Sequence, residues 1–429
     1  MRVSKPFILH LPTCFVSDLK AYLKEHPPNF NYSEVYFYYI IYYLSYKMLT
    51  VKENNAFIDI NMQFFKSATV SNIDKYIIIL KNGYFLETDK FYLKGKKSIG
   101  YKINEKYTNV DEITEIKILP KMNLYKKMQK RIINKKAHYS RSPFYLQEMR
   151  KEFFDLELDY KKAFQFITDN KENYKNALIH YAAIQNLQDK RLRYFFKSKS
   201  NNRLNTNITS LWKELRQFFK GDYVSIDLAN SQPFFLSILI NTIINYDNIH
   251  STGIMYDMIL DKSFKTFGII SLKKISKLNQ KSKKSNLVNL SLLIETTKNG
   301  LFYEYLQEVI KDKTRDEIKK ITFEIYYSQN SSYIKNKLLF KKAFPYILEV
   351  VEILKRKNYK SLSIFMQQIE SYIFIDCIAK KLVEAQIIPL TIHDSIIIKK
   401  QHHKKVLEIM KQVFSEQIGI IPTFKTETL

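Results

Sequence analysis

Polar and apolar side chains alternate along residues 222–232, which read DYVSIDLANSQ. The period of two over 223–228 predicts a β-strand that ends beside Asp227. Ser231, or the asparagine before it, is placed to cap a helix through the mostly apolar residues 234–244. Asp227 is therefore expected at a strand-to-helix turn, where a carboxylate is solvated, paired or metal-bound. Taken alone, the simplest interpretation is a helix cap.

A second stretch, residues 315–328, reads RDEIKKITFEIYYS. Arg315, Lys319, Phe323 and Tyr327 recur every four residues, which aligns them along one slowly turning stripe of a helix, about 18 Å long. The stripe begins with two cations and ends with two aromatic rings. It suits a nucleoside triphosphate, with the cations on phosphates and the rings on the base or sugar. An ordinary amphipathic helix with both rings in the core remains the alternative.

A third stretch consists of two apolar strands, 389–392 and 396–398, joined by the turn HDS at 393–395. An acidic residue at a hairpin tip usually just makes the turn, but these strands would hold Asp394 rigid and partly buried. Together with Asp227 it could bind two divalent ions about 3.5–4 Å apart, as nucleotidyl transfer requires. Mg²⁺ is favoured because it combines carboxylate oxygens with substrate phosphates.

Charge and composition point to a nucleic-acid partner. The 429 residues contain 69 Lys and Arg against 42 Asp and Glu, a net charge of +27, with 31 Tyr and 30 Phe. An excess spread along the chain favours a polyanion; compositional drift of an AT-rich genome would raise Glu together with Lys. Two cysteines, Cys14 and Cys377, exclude a disulfide framework and a Cys-rich zinc site. No signal peptide or bilayer-spanning run is predicted, so we expect no membrane association and a cytoplasmic location.

Between residues 57 and 104 the pattern predicts a helix, a second helix and a basic hairpin, which is the order of a winged helix. Residues 74–80 would then be the recognition helix, and Lys94, Lys96 and Lys97 the tip of the wing. A small α+β packing domain with solvated lysines is the equally open alternative.

Other segments predict less order or a less specific role. Residues 1–30 contain four prolines and suggest an irregular arm. Residues 245–290 degrade into a Lys/Ser/Asn-rich segment, 271–290, whose centre suggests a flexible insertion. Residues 124–142 form a basic run. Residues 188–203 interleave cations with aromatic rings, a pattern suited to single-stranded nucleic acid.

The three stretches, in this order, resemble motifs A, B and C of the family A polymerases, which include bacterial and phage DNA polymerases and single-subunit RNA polymerases. Motif B of the family, R-x3-K-x3-(F/Y)-x3-Y-G, is matched by the four-residue stripe, with Ser328 where Gly is usual. Motif C is matched by His393, Asp394 and Ser395. Motif A begins at Asp227.

Five positions after Asp227 stands Gln232, where DNA polymerases of the family usually carry Glu. The resemblance assigns this residue to exclusion of the ribose 2′-OH. Residues 203–219 are also similar to the family segment before motif A, and 365–371 (FMQQIES) to the helix before motif C. The resemblance thereby implies a set of primer or template contacts: Arg203, Thr206, Asn207, Thr209, Gln368 and His393.

The implied fold is α+β, a right-hand polymerase with an antiparallel palm sheet, helical fingers and a thumb, plus a small winged-helix-like domain. We expect the winged-helix-like domain at 1–110, a basic helical thumb-like region at 111–200, and palm and fingers at 201–429. Asp227, Asp394 and the Leu228 carbonyl are the expected ligands of two Mg²⁺ ions, for which Mn²⁺ could substitute. The implied nucleotide-binding residues are Arg315, Lys319, Phe323, Tyr327 and Gln232, with Lys319 also a general acid.

The resulting prediction is a DNA-directed DNA polymerase that adds dNTPs to a primer 3′-OH in a bacterial or phage-infected cell. Its partners would be DNA, nucleoside triphosphates and unidentified replisome proteins. An RNA polymerase or primase-like enzyme of a phage or mobile element stays open, because Ser395 is the RNA-polymerase form of motif C. The third hypothesis is an inactive replication initiator, which has no reason to retain Asp227, Asp394, Arg315 and Lys319 together.

Overall fold

The fold is described from a computed structural model of the 429-residue chain. The described residues are 5–49, 57–93, 95, 97–108, 112–136, 142–173, 176–245, 255–281 and 283–429. Lys94 and Lys96, two of the three lysines predicted at the wing tip, lie outside these residues.

The strands are β1 Phe7–Pro12, β2 Ile58–Asp59, β3 Leu86–Thr88, β4 Gly100–Ile103, β5 Ile113–Ile118, β6 Phe195–Lys197, β7 Leu204–Thr206, β8 Tyr223–Leu228, β9 Leu390–Ile392, β10 Ser395–Lys399 and β11 Phe424–Thr428. The helices are α1 Thr13–Glu25, α2 Glu34–Met48, α3 Met62–Ala68, α4 Ile73–Asn82, α5 Asn123–Lys136, α6 Phe144–Asp155, α7 Tyr160–Asp169, α8 Ala177–Gln188, α9 Ser231–Ile244, α10 Met255–Phe267, α11 Ile269–Lys281, α12 Lys283–Lys298, α13 Phe302–Val309, α14 Arg315–Tyr327, α15 Ile334–Ala343, α16 Pro345–Lys355, α17 Lys360–Ser371, α18 Lys380–Glu384 and α19 His403–Ile418. A π-helical segment, Tyr372–Ala379, joins α17 to α18.

The chain divides into two compact units. The first unit contains Met1–Pro143, Phe154–Tyr194 and Thr206–Lys220. The second unit contains Phe144–Phe153, Phe195–Asn205 and Gly221–Leu429. These limits differ from the regions 1–110, 111–200 and 201–429 expected from the sequence, and assignment of functions to those regions stays a prediction.

In the first unit, α2, β2, α3, α4, β3 and β4 follow one another, and the strands form an antiparallel sheet in the order β2-β4-β3. Helix α4 buries Tyr76 and leaves Lys75 and Ile78 exposed. The carboxylate of Asp89 shapes the β3–β4 hairpin, because it accepts hydrogen bonds from the Gly100 amide, at 2.9 Å, and from the Lys97 ammonium. Lys97, which the sequence predicted at the tip of the wing, is thus ion-paired and lies opposite Leu93 in the hairpin.

The expectation of an irregular arm at residues 1–30 is wrong. Strand β1 and helix α1 occupy most of it, and β1 pairs antiparallel with β5. The prolines lie at the boundaries of these elements. Pro12 ends β1 and immediately precedes α1. Proline is tolerated at the start of a helix because the first backbone N–H groups have no carbonyl acceptor within the helix, so a missing N–H costs no hydrogen bond.

The expectation of a flexible insertion at residues 271–290 is also wrong, because α11 and α12 cover it apart from residue 282, which is outside the described residues. Leu272 and Ile275 are buried in the core of the second unit, three residues apart on one face of α11. Lysines and serines fill the remaining positions. The segment was predicted to be flexible because of its many polar residues, although its few apolar residues recur with helical spacing.

The second unit is built on a four-stranded antiparallel sheet in the order β11-β8-β10-β9. Val224, Ile226 and Leu228 on β8 point into a large apolar core with α9, α12, α16 and α17. The intervening residues Ser225 and Asp227 belong to the opposite face, since side chains alternate along a strand. The period of two seen in the sequence therefore separates the core face from the face that carries the site.

The chain is mixed α+β, as predicted. The strand predicted over 223–228, the helix predicted through 234–244 and the helix predicted to carry the stripe are confirmed as β8, α9 and α14, and Asn230 is the N-cap of α9. In the part of the chain that the structure describes, no helix combines the length and the apolar character that crossing a bilayer demands.

Candidate functional site

Asp227 and Asp394 meet at the same end of two neighbouring strands. Asp227 lies opposite Ser395 in the register of β8 and β10, and the Leu228 amide donates to the Asp394 carbonyl at 3.2 Å. Just below, the hydroxyl oxygens of Ser225 and Ser395 are 2.6 Å apart and buried, so a side-chain hydrogen bond fixes the strand pair. Both aspartates are half-buried, as a site open to substrate requires.

The turn that carries Asp394 has an unusual backbone. His393 has a φ of 55°, in the left-handed region that costs a non-glycine residue about 1–3 kcal/mol and persists only where the surroundings impose it. Buried strands β9 and β10 impose it here. The turn therefore presents Asp394 in a fixed position rather than as a mobile loop.

Burial raises the pKa of the Asp394 carboxyl, because the charged form loses water. The nearby Ser231 side chain and the positive charges of Arg203 and Lys319 act in the opposite direction. Asp394 is thus surrounded by groups from three separate parts of the second unit. A bound cation would offset the same desolvation cost.

Helix α14 presents the predicted stripe beside this carboxylate. A capping box between Thr314 and Glu317 fixes its first turn. Its core face consists of other residues, buried ones that include Ile318, Ile321 and Ile325. Arg315 and Lys319 are exposed, whereas Phe323 and Tyr327 are half-buried and Tyr327 packs against the core. The interpretation of the rings as core therefore holds in part for Tyr327.

The two ends of the stripe differ as the sequence predicted. At the start, Arg315 is exposed, donates from Nε to Glu304 at 3.0 Å and lies 5.3 Å from the Tyr303 ring centre. At the other end, the rings of Phe323 and Tyr327 are nearly parallel with centroids 5.4 Å apart. Lys319 lies on the stripe between Arg315 and the two rings, with its ammonium 6.0 Å from the Phe323 ring centre.

A buried polar network connects the stripe to the turn after β8. The Tyr327 hydroxyl donates to Gln232 Oε1 at 3.0 Å, and Gln232 Nε2 donates to Glu370 Oε2 at 2.6 Å. The Ser231 hydroxyl donates to the same Glu370 oxygen at 3.0 Å. Arg203 donates to the other oxygen, from Nε at 2.8 Å. The network fixes the orientation of the Gln232 side chain.

Glu370 lies in the segment 365–371 that resembles the helix before motif C, but its place in this network was not predicted. It is 1% exposed, and burial together with the charge of Asp394 raises its pKa to about 7, while Arg203 and the hydrogen bonds oppose the shift. A signal was present in the sequence. Leu362, Phe365 and Ile369 define the apolar face of α17, and Glu370 extends that face with a carboxylate. A buried glutamate needs partners, and the sequence alone could not name them.

The predicted primer and template contacts fall into both units. Arg203 and Gln368 belong to the second unit, where Gln368 Nε2 donates to the Ser200 carbonyl at 2.7 Å. Thr206, Asn207 and Thr209 belong to the first unit. There Thr206 and Asn207 are buried, and Asn207 accepts from the Tyr194 amide at 2.8 Å. Nucleic-acid contacts by these residues stay predictions.

The donor set fits a divalent ion that is shared with substrate. Among the residues covered by the description, no group of three or more His, Cys, Asp and Glu side chains is arranged to hold a metal ion. Asp227 and Asp394 are instead a carboxylate pair at the mouth of the site. Mg²⁺ commonly takes one or two carboxylates, and water and substrate phosphates complete its octahedron.

No family model matches the chain, and no curated protein matches it. Among solved structures it is similar to the POL domain of Pol1 from M. smegmatis in complex with DNA primer-template and dNTP. The identity is 12%, the match covers 71% of this chain, and the TM-score is 0.25. The match spans 65% of the length of that domain.

Proposed function

We propose that the protein is a template-directed nucleotidyltransferase, a DNA polymerase that adds dNTPs to a primer 3′-OH. The observation that carries the proposal is the convergence of three distant stretches on one site. Asp227, Asp394 and the α14 stripe meet there, and the Tyr327–Gln232 hydrogen bond joins the stripe to the turn after β8. The proposal rests on these side chains and their resemblance to motifs A, B and C, not on the similarity in overall structure.

In this proposal Asp227 and Asp394 hold two Mg²⁺ ions, with the Leu228 carbonyl as a further ligand. The ions would supply activation of the attacking hydroxyl and stabilisation of the leaving pyrophosphate. The rigid strand pair holds both carboxylates in fixed positions, so little reorganisation accompanies the reaction.

The cations of α14 bind the triphosphate. The charge of Lys319 already acts on Asp394, and Arg315 lies four residues earlier in the same stripe. Two cations against a polyphosphate stabilise the charge that develops on the leaving group. Lys319 is also placed to give a proton to the pyrophosphate oxygen.

The sugar and base lie at the aromatic end of the stripe. Phe323 packs on the nucleotide and Tyr327 closes the side that faces the template. Gln232, held between the Tyr327 hydroxyl and the Glu370 carboxylate, is the residue that excludes a ribose 2′-OH. Its fixed, bulky amide favours dNTPs.

We assign DNA contacts to Arg203, His393 and Gln368 in the second unit and to Thr206, Asn207 and Thr209 in the first. The four-stranded sheet is the proposed palm, α14 with its neighbours the fingers, and the basic helices of residues 111–200 the thumb. The winged-helix assignment of residues 1–110 is supported by the helix and strand order and the β2-β4-β3 sheet. Its exposed Lys75 and Ile78 are the side chains offered to a DNA groove.

A second candidate, synthesis of RNA as an RNA polymerase or primase-like enzyme, is favoured by Ser395, the RNA-polymerase form of motif C. One assay separates the candidates: labelled DNA template, with and without primer, Mg²⁺, and either dNTPs or NTPs. We expect primer extension with dNTPs. Products from NTPs without primer would support the second candidate. Absence of incorporation from either nucleotide set would eliminate both enzymes and leave a DNA-binding initiator.

A further inference from the structure

A polar pocket of about 550 Å³ lies next to α14, at the end away from Arg315. Its walls are the segment after α14 and the segment between α16 and α17. The residues that matter are Gln329, Asn330, Ser331, Lys355, Arg356 and Lys357. Three of them are cations and none of the lining residues is acidic, so the pocket suits an anion.

The deepest cation of the pocket is built into the fold. Lys355 is 2% exposed, and its ammonium donates to the Ile325 carbonyl of α14. Burial, followed by the charge of Lys337, lowers the pKa of Lys355 to about 8, and Glu352 opposes the shift. Glu352 itself pairs with Lys337 at 2.7 Å. Burial of the Lys355 ammonium costs desolvation free energy, so an anion in the pocket would stabilise its charged form.

The opposite wall is also fixed by a hydrogen bond. The Asn330 side chain donates to the Glu352 carbonyl at 2.8 Å. Arg356 and Lys357 are exposed at the mouth. The pocket thus has a fixed interior and two cations free to follow an extended ligand.

Aromatic and apolar side chains continue from the pocket along the chain. Tyr333, with a φ of 57°, is 50% exposed, and Ile334 and Leu338 on the first turns of α15 are 64% and 61% exposed. Tyr359 carries the Lys360 ammonium 5.6 Å from its ring centre. Cations combined with exposed rings are the pattern that binds single-stranded nucleic acid, where bases stack and phosphates pair.

The position of the pocket relative to the proposed nucleotide indicates which nucleic-acid strand the pocket would bind. The Lys355–Ile325 contact lies two residues before Tyr327, at the base end of the stripe, whereas the triphosphate cations are at the start of α14. A template base must reach the base of the nucleotide, so the template arrives from the Tyr327 end.

We propose that this basic pocket binds the phosphodiester backbone of the uncopied, single-stranded template ahead of the templating base. The proposal rests on the proposed function. Arg356 and Lys357 bind the phosphates that enter, and Lys355 receives the one nearest α14. Free nucleotide or pyrophosphate offers the same phosphate chemistry, and the experiment must distinguish these sources.

The test compares Arg356→Gln/Lys357→Gln with wild type, and uses Lys404→Gln/Lys405→Gln, a change of two exposed cations on α19, as the matched control. Fluorescence anisotropy measures binding to primer–templates with a one-nucleotide or a six-nucleotide template overhang across a salt series. The wild type and the control should bind the longer overhang more tightly. The pocket variant should lose most of that gain, and its salt slope on the longer overhang should fall by about 1.4, or about 0.7 for each lost phosphate contact.

Incorporation opposite a one-nucleotide overhang distinguishes the two proposals. Equal incorporation and equal KM for dNTP in the variant and wild type are expected, because the triphosphate lies elsewhere. A raised KM on that template would assign the pocket to the nucleotide and overturn the inference, as would an unchanged overhang gain in the variant. Failure of the wild type to incorporate at all would instead contradict the proposed function, while the binding series would still report on the pocket.

Discussion

Arg203 and Glu370 form an ion pair in the interior of the second unit, with Arg203 Nε and Nη2 at 2.8 and 2.6 Å from the same carboxylate oxygen. The side chains are 17% and 1% exposed. The other carboxylate oxygen accepts from Ser231 and Gln232. One carboxylate thus joins the segment before β8 to the turn after it, and its loss would leave a guanidinium out of water without a partner.

Removal of either partner of this pair should lower the free energy of unfolding. Removal of both should lower it by less than the sum of the two single effects. Glu370→Ala and Arg203→Ala should each lower the free energy of unfolding by about 1–3 kcal/mol, because each leaves a buried hydrogen-bonding group without its partner. The double variant should show a coupling energy of about 1–3 kcal/mol in urea unfolding. The exposed pair Asp261 and Lys265, 2.6 Å apart, is the control cycle, with an expected coupling below about 0.5 kcal/mol. Similar coupling in both cycles would contradict the structural role of the buried pair.

Asp227→Asn and Asp394→Asn should each abolish primer extension, by about 10²–10³-fold or more, because each removes a charge from the proposed metal pair. DNA binding, measured by anisotropy, should be largely retained. Asp222→Asn, an exposed position at the start of the same strand segment, serves as the control and should keep full activity. Extension by either site variant at the control's rate would remove the two-metal assignment.

Nucleotide selection should depend on the hydrogen bond between Gln232 and Tyr327. Gln232→Ala opens space beside the sugar, so we expect the ratio of NTP to dNTP incorporation to rise. Tyr327→Phe should raise it less, because the ring remains and only the orienting hydroxyl is lost. The neighbouring Tyr326 faces the core, so Tyr326→Phe should leave the ratio unchanged. An unaltered ratio in Gln232→Ala would place the sugar selection elsewhere.

Lys319 and Lys320 are adjacent exposed lysines, but only Lys319 belongs to the stripe. Lys319→Ala should raise KM for dNTP and lower kcat, since a cation on the triphosphate acts in both the bound state and the transition state. Lys320→Ala provides the matched loss of charge and should change neither KM for dNTP nor kcat. Steady-state primer extension at varied dNTP measures both constants. Equal effects of the two substitutions would indicate a general electrostatic contribution instead of a specific contact.

The local elements of the site were accessible from the sequence because they depend on short-range patterns. The alternation of polar and apolar residues through Ser225 and Asp227 predicted a strand. The spacing of four residues between successive members of the set from Arg315 to Tyr327 predicted a helical stripe. Both patterns reflect which side chains face the core. The convergence of these stretches could be expected only from the resemblance to a known family, since no local pattern specifies contacts between distant segments.

The misjudged segments show where composition misleads. Residues 271–290 contain many lysines and serines, yet Leu272 and Ile275 are sufficient to anchor α11 on the core. The pattern of cations and rings at 188–203 also has a structural component. Arg193 is buried and donates to the carbonyls of Leu187 and Leu156. Charge counts do not distinguish a cation that faces a ligand from one that satisfies the protein's own carbonyls.

Acid sensitivity of the first unit should depend on His180. Its imidazole stacks on Trp212 with the ring centres 4.8 Å apart, and burial lowers its pKa from 6.5 to about 4. The unfolded chain therefore binds one more proton than the folded chain between pH 6.5 and pH 4. By linkage, the stability associated with this group is complete above pH 6.5 and is lost as the pH falls towards 4, by about 2–3 kcal/mol.

Trp212 is the single tryptophan of the chain and reports directly on this contact. Since a protonated imidazole quenches a stacked indole, Trp212 emission of the folded protein should stay constant from pH 8 to about pH 5. Urea unfolding of His180→Gln should lack the part of the acid-induced stability loss that the wild type shows between pH 6.5 and 4. His26 is exposed in the same unit, and His26→Gln should retain the wild-type slope. Quenching near pH 6.5 in the folded wild type would show that the imidazole titrates normally and that burial does not keep it neutral.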